Sequence, residues 1–304
     1  MKQSDSARPR GRRSRYTAVL GLALAACAAA LATYSLYTAS APRIIHTEPS
    51  QFSPVLVIEE YGERCLNFSE TKGGGRQTCF DLDEPDKMVF AYTRMMASAL
   101  FLNPKPENVL IVGLGGATIP LALEKILPDA VIDTVEIDPS VARVAERYFG
   151  YKQGPRQRLF LEDGRAFVER ARAEGRQYDM VMLDAFDVDY IPPHLLTREF
   201  LQHVYAILSP NGVLVANTFT NSHMYDQESA TYADVFGDFF NLRAGNRVII
   251  AARGKLPDDE TLERNATALA DTLAPFGIDL RQALQRFSRK PDWNENAAVL
   301  TDAD

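Results

Sequence analysis

The sequence predicts an α/β chain in which a doubly wound parallel sheet follows a small antiparallel sheet, and three observations carry the prediction. The first is an apolar run, Val109-Leu110-Ile111-Val112, that ends in Gly113-Leu114-Gly115-Gly116. A parallel strand buried on both faces reads as a continuous apolar run, and glycine lets the backbone turn sharply and lie against a ligand. The second is the alternation of apolar runs with amphipathic segments from Asn108 to Asn217, the pattern of strands joined by crossover helices. The third is a pair of short strands, Phe239 to Arg243 and Arg247 to Ala252, separated only by Ala244-Gly245-Asn246. They form a hairpin at the end of an otherwise parallel sheet.

Taken in order, Val55 to Ile58, Arg64 to Ser69 and Arg76 to Leu82 read as short strands, with Gly62 and Gly73-Gly74-Gly75 as turns. Pro85 opens a helix to Leu102, with Met88, Tyr92, Met95, Met96 and Ala99 at helical spacing, and Asn103-Pro104-Lys105-Pro106 ends it. Strands then end at Val112, Glu136, Leu161 and Leu183, separated by helices about Thr118 to Leu127, Ser140 to Tyr148 and Arg165 to Glu174. A helix from Thr197 to Leu208, a strand from Gly212 to Asn217 and a helix from Tyr225 to Phe236 follow. Residues 256–290 read as helical cover. The closing hairpin makes the sheet class I S-adenosylmethionine-dependent methyltransferase-like and separates it from the ordinary dinucleotide fold. The expected organisation is a basic N-terminus (1–15), a membrane or signal segment (16–42), a small β-sheet with a linking helix (43–104), a nucleoside-binding α/β domain (105–255) and a helical tail (256–304).

The 304 residues are 46% hydrophobic and 24% charged, an ordinary globular composition. The net charge of −7 is divided unevenly, with +6 on residues 1–43 and −13 on the rest. An acidic body repels a phosphate backbone, which argues against nucleic acid as a partner and favours a cationic ligand. Tyr16 to Pro42 contains no charged residue and is long enough to cross a bilayer. The basic cluster before it places residues 1–15 in the cytoplasm and the globular domain in the periplasm, anchored to the inner membrane by a single pass. An uncleaved anchor, a cleaved secretory signal and a lipoprotein signal at Leu24-Ala25-Ala26-Cys27 all stay open, and the apolar run past Cys27 favours the anchor.

Cys65 and Cys79 flank a glycine turn, and in a hairpin centred on Lys72 they lie directly opposite, close enough for a disulfide in an oxidising compartment. A pair of half-buried free thiols is the alternative. There is no Cys-x-x-Cys or His-x-x-x-His spacing among the four histidines, so a metal site is not indicated.

Ligands of open parallel sheets sit at the carboxyl ends of the strands. The polar residues there are Gly113 to Gly116, Glu136 with Asp138, Glu162-Asp163-Gly164 and Asp184-Ala185-Phe186-Asp187. Glu136 ends an apolar strand, where its carboxylate can accept from both hydroxyls of a ribose. Asp163 can accept from the amino group of adenine or cap the helix that begins near Arg165, and Asp138 before Pro139 reads as a helix cap. Asp184 and Asp187 lie on the loop that crosses the crevice, where two carboxylates can hold a cationic amine and take its proton. Tyr190 extends the loop and can stack on a ligand, whereas Pro192-Pro193 reads as a stiff turn and His194 as a residue leading into the next helix.

Together these segments resemble the spermidine synthase family, aminopropyltransferases that use decarboxylated S-adenosylmethionine. The resemblance covers roughly Val55 to Ala252, with an echo in Val299-Leu300-Thr301-Asp302, and is carried by Phe90-Ala91-Tyr92, the glycine turn, Glu136-Ile137-Asp138, Glu162-Asp163-Gly164 and the Asp184 to Asp187 loop. Within the family it is most like the membrane-associated members, through Asp184 to Phe186 and Ile191 to Thr197. It implies that Glu136 binds ribose, Asp163 adenine and Tyr92 the substrate channel. It also implies that Asp184 assists deprotonation of a small-molecule amine, with Asp187 nearby and without a metal. Two positions depart from the family pattern. Gly116 stands where the family's turn carries an aspartate, and Thr93-Arg94 replaces Gln or His followed by Glu. An arginine at 94 can meet a carboxylate such as that of intact S-adenosylmethionine. Aminopropyl transfer leads, with a methyltransferase and a non-catalytic nucleoside- or polyamine-binding module as alternatives, and a homo-oligomer stays open.

Overall fold

The computed structural model describes residues 42–69, 75–186 and 190–303. A four-stranded sheet comes first, in the order β1 (Arg43–Glu48), β2 (Val55–Glu60), β3 (Glu63–Asn67), β4 (Arg76–Asp81). β2, β3 and β4 pair antiparallel, with Cys65 directly opposite Cys79, and the two are joined as a disulfide. β1 has no counterpart in the sequence reading. It is an edge strand with partly exposed residues throughout, so it lacks the alternation that marks a half-buried strand.

Seven strands form the main sheet, β5 (Asn108–Val112), β6 (Val131–Glu136), β7 (Gln157–Leu161), β8 (Tyr178–Leu183), β9 (Leu208–Phe219), β10 (Phe239–Ala244) and β11 (Asn246–Ala252), in the order β10-β11-β9-β8-β5-β6-β7. β5 to β9 run parallel, and the β10–β11 hairpin adds two antiparallel strands at one edge. This is the class I methyltransferase-like sheet with a small antiparallel sheet before it. Strand side chains alternate between two cores. Val109 and Ile111 of β5 join Met180, Val215 and Ile250 on one face, while Leu110 and Val112 join Val181, Leu214 and Ile249 on the other.

The first face is covered by α1 (Ala91–Ala97), which tightens into a 3-10 turn at Ser98–Phe101, by α2 (Thr118–Ile126), and by the tail helices α7 (Asp259–Ala268), α8 (Ala270–Leu273) and α9 (Leu280–Leu284). The second is covered by α4 (Gly164–Ala173), α5 (Arg198–Ile207) and α6 (Tyr225–Phe236). α3 (Pro139–Tyr148) belongs to neither. Val141, Val144 and Ala145 pack instead with Val55, Val57 and Leu66 of the small sheet, which docks that sheet beside the ends of β5 and β6.

Several boundaries differ from the sequence reading for local reasons. The helix expected from Pro85 starts at Ala91, because the Asp81 carboxylate accepts from the amides of Asp83 and Glu84 and Met88 pairs with Phe80 as a β-bridge. β9 begins at Leu208 instead of Gly212, and its register against β8 shifts between Tyr178 and Met180. The helical cover after 256 is broken where Gly277 takes φ +74°.

The inner-membrane, periplasmic placement is corrected. Among the described residues no helix is long and apolar enough to cross a membrane. Residues 16–41 and Cys27, on which that expectation rested, lie outside the described residues.

The disulfide closes a loop of 14 residues between adjacent strands. Replacing both partners, as Cys65→Ser with Cys79→Ser, lowers the unfolding free energy by about 3 kcal/mol, the value expected from loop closure at this length. Urea unfolding of the oxidised wild type against the variant measures it.

Candidate active site

The carboxyl ends of β5, β6 and β8 and the loop after β7 open onto one cleft of about 320 Å³, the size of a small-molecule site. Its base is the glycine turn. Gly113 takes φ +104°, its N–H donates to the Val135 carbonyl at 2.8 Å, and a Cβ there would run into the carbonyl oxygen of Asp184. The Asp184 N–H in turn donates to the Val112 carbonyl at 2.8 Å, so the ends of β5 and β8 are closed onto each other with no room for a side chain. The small sheet supplies another wall through Phe68, Gln77 and Thr78.

Glu136 ends β6 almost fully buried. Its Oε2 accepts from Leu114 N–H at 3.0 Å and its Oε1 from Asp138 N–H at 2.9 Å. Burial pushes its carboxyl up, against those two amides, which favour the charged form. Asp138 caps α3 by accepting from Ser140 N–H at 2.8 Å. Asp163 serves two roles at once. Its Oδ1 caps α4 at the Ala166 N–H (2.9 Å), while its Oδ2 meets His194 Nε2 at 2.8 Å. Burial would raise Asp163, but the Ala166 amide and His194 outweigh it and hold the carboxyl below its ordinary value.

Asp184 is set in the opposite environment. Burial pushes its carboxyl up to about 7, against hydrogen bonds from Asn217 and Tyr92 that favour the anion. Asn217 Nδ2 donates to Asp184 Oδ1 at 2.8 Å, and Asn246 Nδ2 donates to Asn217 Oδ1 at 3.0 Å, so the carboxylate is oriented from the hairpin edge of the sheet. Tyr92 on α1 lines the same end of the cleft. Its hydroxyl is raised well above its ordinary value by burial and then by the Asp184 charge.

Of the residues expected from sequence, the cleft gathers Gly113, Gly115, Glu136, Asp163, Asp184 and Tyr92, and His194 joins them. Three others sit elsewhere. Arg94 does not line the cleft, because its guanidinium turns back to the carbonyls of Met88 and Val89, beside Asp279 and Arg286. Gly116 lies against β4 instead of the ligand space, its N–H donating to Thr78 Oγ1 at 3.0 Å. Tyr190 directs its hydroxyl to Ser222 and Glu228, away from the cleft. Asp187 lies outside the described residues. Thr78, Gln77 and Asn217 carry no local signal in the sequence, since Gln77 and Thr78 lie in the mixed strand β4 and Asn217 reads as a polar residue ending an apolar run.

Comparison with known proteins agrees with this geometry. The spermine/spermidine synthase domain matches residues 89–243. A polyamine aminopropyltransferase of Vibrio vulnificus is 45% identical over 264 residues, covering 85% of this chain and 88% of that protein. Among solved structures, a probable spermidine synthase from Corynebacterium glutamicum shares the fold at TM-score 0.63 and 19% identity, covering 84% of this chain and 99% of that one. Human methyltransferase-like protein 13 in complex with SAH is similar at TM-score 0.56 and 28% identity, covering 70% of this chain and 99% of that one.

Because the Asp184 carboxyl is raised from 3.8 to about 7, folding takes up a proton between those values and stability is lost as pH rises through that window. Asp184→Asn removes that loss. Urea unfolding at pH 8 therefore finds the variant more stable than the wild type, with a margin that shrinks toward pH 4, whereas a margin independent of pH would show that the carboxyl is not desolvated.

Proposed function

The chain belongs to the spermine/spermidine synthase family, and from that premise we propose that it is an aminopropyltransferase, in which a small-molecule amine attacks decarboxylated S-adenosylmethionine. The observation that carries this reading is the charge of the cleft. Glu136, Asp138, Asp163 and Asp184 line it, and among the described lining residues there is no lysine or arginine. Such a cleft favours cationic amines and offers no partner to the carboxylate of intact S-adenosylmethionine, whose burial without one is costly. Gly116 and Arg94 are the two features of the sequence that point to a methyltransferase. The Arg94 guanidinium is occupied by backbone carbonyls away from the cleft, so it offers no partner to a cofactor carboxylate and that reading is not favoured.

In this reading Glu136 accepts from the ribose hydroxyls, its oxygens aimed by the Leu114 and Asp138 amides. Asp163 and His194 border the adenine. The sulfonium, when bound, supplies an electrophilic carbon and a thioether leaving group. Asp184 takes the proton that the amine releases as its N–C bond forms and the C–S bond breaks, and a carboxyl with a pKa near neutrality is suited to that transfer. Asn217 holds the Asp184 carboxylate in place, with the Tyr92 hydroxyl beside it donating to the Gln77 carbonyl. The family resemblance also assigns Asp187, three residues further along the sequence, to the amine. With Gly116 in the turn, the charge available to ammonium groups is concentrated at Asp184 and its loop.

Purified protein supplied with decarboxylated S-adenosylmethionine and 1,4-diaminobutane releases methylthioadenosine, at a rate that rises with pH through about 7 as Asp184 ionises. Asp184→Asn lowers turnover about 10²- to 10⁴-fold and leaves the methylthioadenosine Kd, read by calorimetry, within twofold of the wild type. Methyl transfer from S-adenosylmethionine without aminopropyl transfer would overturn the reading.

A further inference from the structure

A buried acid and a buried base, each bonded to other residues and not to one another, are left unused by this chemistry. Glu228 on α6 is 1% exposed and Arg247 on β11 is fully buried. Burying either group in its charged form is costly, and burial pushes the Glu228 carboxyl up, so stability alone does not account for them. Arg247 donates from Nη2 to Ser229 Oγ at 2.7 Å and from Nε to Asn241 Oδ1 at 3.0 Å, and its guanidinium lies 4.0 Å from the centre of the Tyr225 ring. It thereby fastens α6 to the terminal hairpin.

Glu228 reaches the other way, toward the segment that follows β8. The Tyr190 hydroxyl donates to Glu228 Oε1, and Ser222 Oγ donates to the same oxygen at 3.0 Å. The Tyr190 ring packs on Phe219 with centroids 5.5 Å apart, and Phe219 packs on Phe186 at 5.2 Å, which lines the cleft. The residue before Arg247 completes the frame, since Asn246 orients Asn217 and Asn217 orients Asp184. Consecutive residues of β11 therefore reference both Asp184 and Tyr190 to one strand.

We propose that Glu228 is a positioning residue for the amine substrate: by fixing the Tyr190 hydroxyl it holds Phe186, through Phe219, in register with Asp184 at the amine end of the cleft. The inference rests on the aminopropyl-transfer reading. It separates the two halves of the site, because Glu136 and Asp163 are carried by β6 and the loop after β7, on the far side of β5 from α6 and the hairpin. A displaced Tyr190 therefore affects the amine and spares the nucleoside.

The test uses Tyr190→Phe, Glu228→Gln and their combination in the full chain, each checked for an unchanged melting temperature, with 1,4-diaminobutane and decarboxylated S-adenosylmethionine as substrates. Each single variant raises the KM for the diamine on the order of tenfold, the effect of losing a hydrogen bond to a charged group. The methylthioadenosine Kd stays within twofold, and the double variant is no worse than either single one because both remove the same link. An unaltered diamine KM in Tyr190→Phe, multiplying effects in the double variant, or an equal loss of methylthioadenosine affinity overturns the inference alone. A wild type without aminopropyl transfer overturns the functional reading and this inference with it.

Discussion

At the centre of the sheet the backbones of β5 and β8 approach so closely that only glycine fits between the turn and the strand beside it. Gly113 sits at φ +104° against the Asp184 carbonyl, and the Asp184 N–H is bonded to the Val112 carbonyl. The turn and the acid are therefore one rigid object. β5 and β8 are buried on both faces, with Val109 to Val112 and Met180 to Met182 at most 2% exposed, so neither strand can shift to relieve a clash. Any ligand that lies on the turn is held at a fixed distance from the Asp184 carboxyl, and that placement is worth more to a transfer reaction than any single contact.

The same burial divides the acids of the cleft by environment. Asp163 and Asp184 are the same residue type just beyond the carboxyl ends of β7 and β8, yet one is held below its ordinary value and the other is pushed up to about 7. The difference lies in what supplies the hydrogen bonds. Asp163 sits at the N-terminus of α4, where a backbone amide and His194 favour the charged form. Asp184 sits beyond a strand end with no helix behind it, and the side chains of Asn217 and Tyr92 offset only part of its desolvation. Two carboxylates driven apart in this way suit two tasks, one a standing anion for recognition and the other a group that changes its proton near neutrality.

The sheet and most of the floor of the site were legible because they depend on local signals. Buried parallel strands write apolar runs, glycine marks the turn, and an acid closing such a run at Glu136 has no packing role. What the sequence hid depends on contacts between distant segments. The direction of the Arg94 side chain is set by the carbonyls of Met88 and Val89, freed because residues 81–90 form a turn and a bridge in place of the expected first helical turns. Tyr190 has the composition of a ligand platform, and only the fold brings Glu228 beneath its hydroxyl. Asn217 and Asn246 are 29 residues apart, and only the β9–β11 pairing makes them neighbours behind Asp184.

The glycine at position 116 is explained by the same kind of contact. A Cβ at Gly116 would stand 2.7 Å from Thr78 Cγ2 and 3.1 Å from a ring carbon of Phe149, so a side chain there and a threonine at 78 exclude each other. The Thr78 hydroxyl also takes the Gly116 N–H, which would otherwise be a buried donor without a partner. The turn thus carries no acid because β4 occupies the space an acid would need, and the substitution belongs to the docking of the small sheet as much as to ligand binding. Cys79 follows Thr78 on β4 and is tied to β3 through Cys65, so the covalent link lies one residue from the contact that closes the turn. The small sheet is therefore part of the cleft wall, and its Thr78 holds the glycine turn through the Gly116 N–H.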